Sequence, residues 1–281
     1  MPELLEAAEA RGVETHVLER GEKAGALARN AAEAGAPALG VGGGDGSLGA
    51  VAGVAIDHGI PFVCVPYGTR NHFARDLGLD CDDPIGALAA FEGEERAVDI
   101  GRVGELVFLS NVSLGLYASL VHDPEHETKN RIVAALRMVP AAFGRARRPL
   151  ELVLDAQDER EQVDAFVLLV ANNDYALDAI SDLGARTRLD EGLLHVYVVK
   201  AVERFRLALL FARALAGRVG EIEGYSELTA KRLTVDSPRP RIHAAVDGEP
   251  AVLPVPLEFE LLPRALRVLV PPVGSEAKPT G

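Results

Sequence analysis

The sequence is poor in cysteine, in positive charge and in long apolar runs. Among its 281 residues there are two cysteines, Cys64 and Cys81. Two thiols so spaced build neither a disulfide framework nor a zinc site, so a reducing, cytoplasmic compartment is the plain expectation. Lysine and arginine number 29 against 42 aspartates and glutamates, a formal net charge of −13. That balance lacks the basic footprint of a nucleic-acid-binding protein. It also disfavours attraction of the whole molecule to anionic lipid, while leaving room for a local basic patch. No stretch approaches the ~20 apolar residues of a membrane-spanning helix, so any membrane contact is expected to be peripheral. Residues 1–12 are acidic and rich in alanine and glutamate, without the basic and apolar regions of a secretory signal.

What the chain does have is 48% hydrophobic residues, ample for buried cores, in a length that suits two domains. Residues 1–110 read as helices (4–11, 22–34, 47–57, 72–77) alternating with short apolar strands (14–18, 38–41, 61–65). Gly35, Pro37 and Gly59 supply the stops. This is the grammar of a parallel α/β sheet. Further on, apolar or alternating runs at 107–112, 150–155, 165–172, 194–199, 231–236, 241–246, 257–262 and 266–270 predict an antiparallel β-sandwich, drawn as a domain over 111–270. Helical segments at 129–147 and 202–218 interrupt it. The polar tail 274–281 reads as disordered, and residues 271–281 are the segment available to return to the first domain.

Gly42-Gly43-Gly44-Asp45-Gly46-Ser47 lies between the strand at 38–41 and the helix at 47–57. Gly44 to Gly49 satisfy G-x-G-x-x-G, so a pyrophosphate held by backbone N–H groups at a helix start is one reading. A dinucleotide site also wants an acid at the end of the next strand, where Cys64-Val65-Pro66-Tyr67 has none. Asp45 inside the loop would repel a pyrophosphate unless a cation lay between them. A Walker loop fails for want of a following Lys-Ser/Thr. A phosphoryl-transfer site, with Asp45 acting through Mg²⁺ or on the acceptor hydroxyl, uses every residue of the loop. A tight turn without a ligand explains less, because three consecutive glycines cost backbone entropy that a turn does not require. A second loop, Pro66-Tyr67-Gly68-Thr69-Arg70-Asn71-His72-Phe73-Ala74-Arg75, follows the next strand. In a doubly wound sheet neighbouring strands end at one crevice, so Gly68 and Thr69 can face the same ligand. Taken alone, the segment also reads as a Pro/Gly turn capped by Asn71.

Together the two loops resemble the diacylglycerol kinase catalytic domain, the family of bacterial lipid kinases, eukaryotic diacylglycerol kinases and sphingosine kinases. Gly43-Gly44-Asp45-Gly46-Ser47 matches its G-G-D-G-T/S motif, and Pro66 to Arg75 its P-x-G-T-x-N-D-F-A-R motif. Asn111-Val112-Ser113-Leu114-Gly115, Leu189-Asp190-Glu191-Gly192-Leu193-Leu194 and Val246-Asp247-Gly248-Glu249-Pro250 are similar to its N-x-x-x-G, L-x-D-G-L-L and D-G-E-P segments, so the resemblance spans most of the chain. It implies an NAD kinase-like α/β nucleotide domain plus a β-sandwich, with the active site in the cleft between them. It also implies ATP, Mg²⁺ and a lipid alcohol such as diacylglycerol. Carried over by position, Gly42, Gly43, Gly44, Asp45, Gly46, Ser47, Gly68, Thr69 and Asn71 would hold ATP, with Asp45 by the phosphates or metal. Glu249, with Asp247 beside it, would take the proton of the lipid hydroxyl. Glu191, with Asp190 and the Leu193 carbonyl, would match a structural Mg²⁺ site of some bacterial members. Hard oxygen donors suit Mg²⁺, and phosphoryl transfer asks chiefly for positioning, charge neutralisation and one carboxylate. Asp247-Gly248 and Asp190-Glu191-Gly192 also read as turns.

The chain departs from the family pattern in four places. It opens in what looks like the first helix, without the strand that carries an Asn-Pro near the nucleotide, so that one sheet strand is absent or the start codon is misplaced. The first motif continues Leu48-Gly49-Ala50 instead of L-N-E; Arg70 takes the place of a small residue, and His72 that of an Asp. Arg70 can still serve developing charge, whereas His72 does not replace a carboxylate beside a metal. Sphingosine-type members also lack that Asp. A catalytically weak or inactive nucleotide- or lipid-binding relative is therefore the alternative to an active kinase. An NAD kinase-like enzyme is a third reading, disfavoured by Val246 to Pro250. Lys129, Arg131, Arg137, Arg145, Arg147 and Arg148 flank Ile132, Val133, Leu136, Met138, Val139 and Phe143. This basic amphipathic segment reads as a surface for anionic lipid at the inner membrane face, or as a helix packed on the sandwich with a solvated basic face. A homodimer is kept among the expectations.

Overall fold

The computed structural model describes residues 1–68, 71–115, 118, 149–156, 159–175, 186, 188–200 and 225–272. The helices expected at 129–147 and 202–218, with the basic segment 129–148, and the tail 274–281 lie outside the described residues. The chain divides into two compact units, Met1–Ile100 with Pro263–Gly281, and Gly101–Leu262. The boundary thus falls at Ile100 and not at 110, and the return begins at Pro263 and not at 271. A strand carries the chain back: Val268 and Leu269 pair in parallel with Phe62 and Val63.

The first unit runs α1 (Pro2–Glu9), α2 (Ala24–Glu33), β1 (Leu39–Gly43), α3 (Asp45–His58), β2 (Phe62–Pro66), α4 (His72–Asp76), a 3-10 helix Gly86–Glu92 and the start of β3 (Glu94–Val103). β1 and β2 are parallel, in register from Leu39 opposite Phe62 to Gly43 opposite Pro66. β2 is buried at every residue, which is why it reads as an unbroken apolar run. α3 buries Leu48, Val51, Ala52, Val54 and Ala55 and stops at Gly59, which takes φ +64° as its C-terminal cap. The strand expected at 14–18 does not form. Among the described residues β1 pairs with β2 alone, so 14–18 does not extend the sheet at its edge, and Val17 and Leu18 stand 53% and 42% exposed. A turn replaces it, in which Glu22 Oε2 accepts the Glu19 N–H at 2.7 Å and meets His16 Nε2 at 3.0 Å.

The second unit holds the end of β3, then β4 (Leu106–Phe108), β5 (Asn111–Gly115), β6 (Leu150–Ala156), β7 (Glu159–Asn172), β8 (Leu194–Lys200) and β9 (Tyr225–Ala230). It continues with β10 (Arg232–Asp236), β11 (Arg241–Val246), β12 (Glu249–Pro254) and the first part of β13 (Leu257–Val270). Its pairings are antiparallel. β7 makes the sandwich possible. Its first half pairs with β6, from Glu159 opposite Ala156 to Ala165 opposite Leu150. Its second half lies between β5 and β8, after a bulge between Ala165 and Val167. A bulged strand of this kind bends and passes from one sheet to the other. Gly115 opposite the bulge has φ +86°, and a Cβ there would overlap the Phe166 carbonyl. Period-two alternation then sends Val112, Leu152, Val163, Leu168, Val196 and Phe259, among others, into one core.

Two sequence readings change in detail. The run at 107–112 breaks into β4 and β5 at Leu109-Ser110, and the runs at 257–262 and 266–270 are one long strand, while β3, β9 and β12 lie outside the expected runs. Among the described residues no helix is long and apolar enough to cross a membrane. Leu168 is fully buried in the sandwich core. Leu168→Ala is expected to cost about 2–5 kcal/mol in urea unfolding, the range for a truncated core leucine; a loss below ~1 kcal/mol would contradict its place there.

Candidate functional site

The glycine loop forms where β1 ends and α3 begins. Gly42 and Gly43 are the last residues of β1, Gly44 is the N-cap of α3, and Asp45, Gly46 and Ser47 form its first turn. No side chain caps this helix. The first N–H groups of any helix lack intrahelical partners and carry the positive end of the dipole, which suits an anion. At Gly44 a Cβ would meet nothing within 4 Å, so the backbone there faces open space. Asp45 is 7% exposed. Its charge and, more strongly, burial push the Cys64 thiol up, so Cys64 stays a neutral core residue.

The loop after β2 closes on the first one. A Cβ on Gly68 would lie 2.6 Å from the Gly44 Cα and 3.0 Å from the Gly43 carbonyl oxygen. Only glycine allows that approach. The Gly68 N–H donates to Asn71 Oδ1 at 2.9 Å. Asn71 is 6% exposed and takes φ +49° at the head of α4, a conformation that asparagine tolerates better than most residues. Its carbonyl accepts the Arg75 N–H at 3.1 Å. The structure therefore brings Gly43, Gly44, Asp45, Gly68 and Asn71 together. Thr69 and Arg70 lie outside the described residues.

In the second unit, Asp247 and Gly248 form a two-residue hairpin between β11 and β12, with φ +48° and +83°. Positive φ at both positions is the type I′ geometry whose twist matches the flanking strands. The Asp247 carboxylate is taken up by the backbone: Oδ2 accepts the Leu109 N–H at 2.7 Å, and Oδ1 accepts those of Ser110 at 2.8 Å and Asn111 at 3.0 Å. Both oxygens of Asp247 thus hold the turn from Leu109 to Asn111. Glu249, two residues on, is the exposed first residue of β12.

The 190–193 loop is held by Asn173, whose N–H donates to the Leu193 carbonyl at 3.1 Å and whose Oδ1 accepts the Glu191 N–H at 2.9 Å. Asp190 pairs with Arg188 at 3.2 Å. Glu191 Oε2 accepts the Asp174 N–H at 3.3 Å and lies 3.2 Å from His195 Nε2. Each of the three donors expected for a structural Mg²⁺ thus has a protein partner.

Sequence reading missed Arg186, Asn172 and Tyr175. Arg186 is 5% exposed and donates Nη1 to the carbonyls of Leu109 at 2.7 Å and Asn172 at 2.8 Å, with its guanidinium 5.9 Å from the Tyr175 ring centre. Asn172 Nδ2 also donates to the Leu109 carbonyl at 3.2 Å, and Asn111 Nδ2 to Tyr175 Oη at 3.0 Å. The available signal was Asn172-Asn173-Asp174 at the end of an apolar strand, since buried polar groups there require partners.

With both units described, comparison with known proteins gives the family. The profile of the diacylglycerol kinase catalytic domain matches residues 1–103, and that of the YegS C-terminal NAD kinase beta sandwich-like domain matches 124–270. A Synechocystis protein, sll0036, is 24% identical over 234 residues, 82% of this chain; the chain spans about half of that relative, 54% of its length. A diacylglycerol kinase of Mycobacterium tuberculosis H37Rv is 29% identical over 249 residues, 85% of this chain and 79% of its own. In fold, a diacylglycerol kinase structure from Bacillus anthracis str. Sterne superposes with a TM-score of 0.66 at 16% identity, covering 96% of this chain and 91% of that one. The chain belongs to the diacylglycerol kinase catalytic-domain family.

The hairpin geometry separates its two acids. Asp247→Ala strips the acceptor from three backbone N–H groups and is expected to cost at least ~3 kcal/mol in urea unfolding, because each buried donor left unpaired costs ~1–3 kcal/mol. Glu249→Ala is expected to stay within ~0.5 kcal/mol of the parent, as for exposed residues generally. Equal losses in the two variants would contradict this division.

Proposed function

We propose that the protein is an ATP- and Mg²⁺-dependent lipid kinase that phosphorylates the hydroxyl of diacylglycerol or a related lipid. The observation that carries this reading is the packing of Gly68 onto Gly44 beside the buried Asp45, a glycine-walled phosphate cradle at a helix start. The family and its relatives' names supply the lipid acceptor. Gly42, Gly43, Gly44, Gly46, Ser47 and Gly68 would cradle the phosphates through backbone groups, and Asn71 would hold Gly68 in place. A carboxylate beside a phosphate cradle fits a hard divalent ion, so Asp45 would hold Mg²⁺; when bound, the ion neutralises phosphate charge. Glu249 would accept the proton of the lipid hydroxyl as its oxygen attacks the γ-phosphorus, and ADP would leave. Asp247 would position Glu249 through the hairpin.

A second reading, a catalytically weak or inactive nucleotide-binding member, is favoured by one observation. α3 presents Ala50, an exposed residue, where family members carry a carboxylate, and α4 opens with His72 in place of an acid.

Transfer of radiolabelled phosphate from ATP to a lipid panel, with and without Mg²⁺, decides between them. Asp45→Ala and Glu249→Ala are each expected to lower transfer at least ~100-fold, the scale of a lost acid–base or charge-neutralising group. Unchanged turnover in either variant removes that residue's role. Nucleotide binding by calorimetry with no lipid phosphorylated would establish the second reading.

Work at the inner membrane face belongs to the same proposal, through the basic segment containing Lys129, Arg131, Arg137 and Arg145. Binding to liposomes is expected to rise with the anionic lipid fraction and to fall with salt, as screening shortens the reach of basic side chains. Binding that ignores salt would remove the segment's electrostatic role.

A further inference from the structure

A polar cluster lies on the face of β7–β8–β9 opposite the apolar core of the second unit. Alternation puts it there. Val196 and Val198 of β8 enter the core, so His195 and Tyr197 point the other way. In the register of β8 with β9, Tyr197 stands opposite Glu227 and Val199 opposite Tyr225. Asn173, at φ +64°, turns the chain after β7 and delivers Asp174 to the same place. Asp174 Oδ1 accepts the Tyr197 hydroxyl at 2.8 Å, and Glu227 Oε2 accepts that of Tyr225 at 3.3 Å.

His195 is 6% exposed. Its Nδ1 lies 3.2 Å from Glu227 Oε1 and 3.6 Å from Asp174 Oδ1. Its Nε2 is buried and makes no hydrogen bond, although it lies 3.2 Å from Glu191 Oε2. Three carboxylates thus surround one imidazole, which can offset at most one of their charges. Among the described residues Asp174, His195 and Glu227 form the group of three whose ligand atoms all lie within 4.8 Å of one another.

We infer that Asp174, Glu227 and His195 Nδ1 form a binding site for a divalent ion of the zinc class. Three observations support it. A tetrahedral ion with bonds of about 2.0–2.1 Å separates its ligand atoms by about 3.3–3.4 Å, and the two measured nitrogen–oxygen separations of 3.2 and 3.6 Å bracket that edge. With Nδ1 on the ion, the buried Nε2 would carry the ring proton, and Glu191 Oε2 at 3.2 Å is the acceptor that a small turn of the ring would bring into line, completing a carboxylate–histidine–metal relay. An imidazole nitrogen also discriminates against Mg²⁺, which prefers an all-oxygen shell. Asp174 and Glu227 side chains are 48% and 40% exposed, so an ion can reach the site from solvent. Solvent completes the fourth position. The bound ion ties the end of β7 to β8 and β9.

The test uses the full-length protein, stripped with chelator and desalted, and titrated with Zn²⁺ by calorimetry and with Co²⁺ by visible absorption. One equivalent is expected, with a tetrahedral Co²⁺ spectrum and a raised Tm. Asp174→Asn and Glu227→Gln keep the side-chain shape and are each expected to weaken binding by more than ~100-fold. Glu191→Gln should weaken it by ~10–100-fold, as for an outer-shell partner. Glu159→Gln, at the far end of β7, should bind as the parent does. Absence of stoichiometric uptake, uptake that survives both ligand substitutions, or Mg²⁺ competing at equal concentration would each overturn the proposal. Circular dichroism of each variant checks that it is folded. If one ligand variant fails that check, the other decides.

Discussion

The second unit hangs on one carboxylate. Asp247 accepts three successive backbone N–H groups from Leu109, Ser110 and Asn111. Those groups sit where β4 ends and β5 begins, at a point where neither strand can bond them. A charged acceptor for buried amides is stronger than a neutral one, and its removal leaves several donors stranded at once. The same turn is held from its other side, because the Leu109 carbonyl receives Arg186 and Asn172. The Asp247 N–H returns a bond to the Asn111 carbonyl at 2.9 Å. The hairpin tip and the β4–β5 turn are therefore one object, and Glu249 inherits its position from it.

That arrangement explains what was legible in the sequence and what was not. Gly44, Asp45 and Gly68 were legible because their requirement is backbone geometry: a close approach or an open backbone leaves glycine in the sequence. Asp247-Gly248 was legible twice over, as a hairpin and as part of a family motif. Which role its carboxylate plays was not, since nothing local to residue 247 announces that Leu109 to Asn111 lack partners. Arg186 was invisible for the same reason. Its partners at 109 and 172 come from distant parts of the chain, and an arginine two residues from the exposed Arg188 looks like any solvated charge.

Strands that serve two neighbours mislead a reading by runs. β7 and β13 each have 14 residues. The first half of β7, Glu159 to Asp164, is largely polar and pairs at the exposed margin, so the apolar run began only at 165. In β13 the chain bends where Arg264 takes φ +51° and its N–H meets Asp99 Oδ1 at 2.8 Å. Pro263-Arg264-Ala265 therefore looked like a turn between two strands. The segment at 14–18 failed in the opposite sense. Its composition suits a strand, but a strand is a pairing and not a property of a segment, and among the described residues this one pairs with none.

The same distinction governs the loop at 190–193. A match to a motif places donors along the chain, but it does not say which partners those donors take in the fold. Asn173 occupies the Leu193 carbonyl and fixes the Glu191 backbone, and Arg188 draws Asp190 aside. Glu191 is left turned toward His195, where three acids meet one imidazole. Like charges gathered around a buried ring are costly unless a cation lies among them. The protein builds the cluster from four segments, with tyrosine hydroxyls orienting two of the acids. Cross-strand register set Glu227 beside His195, and no spacing within any one segment could have shown that pair.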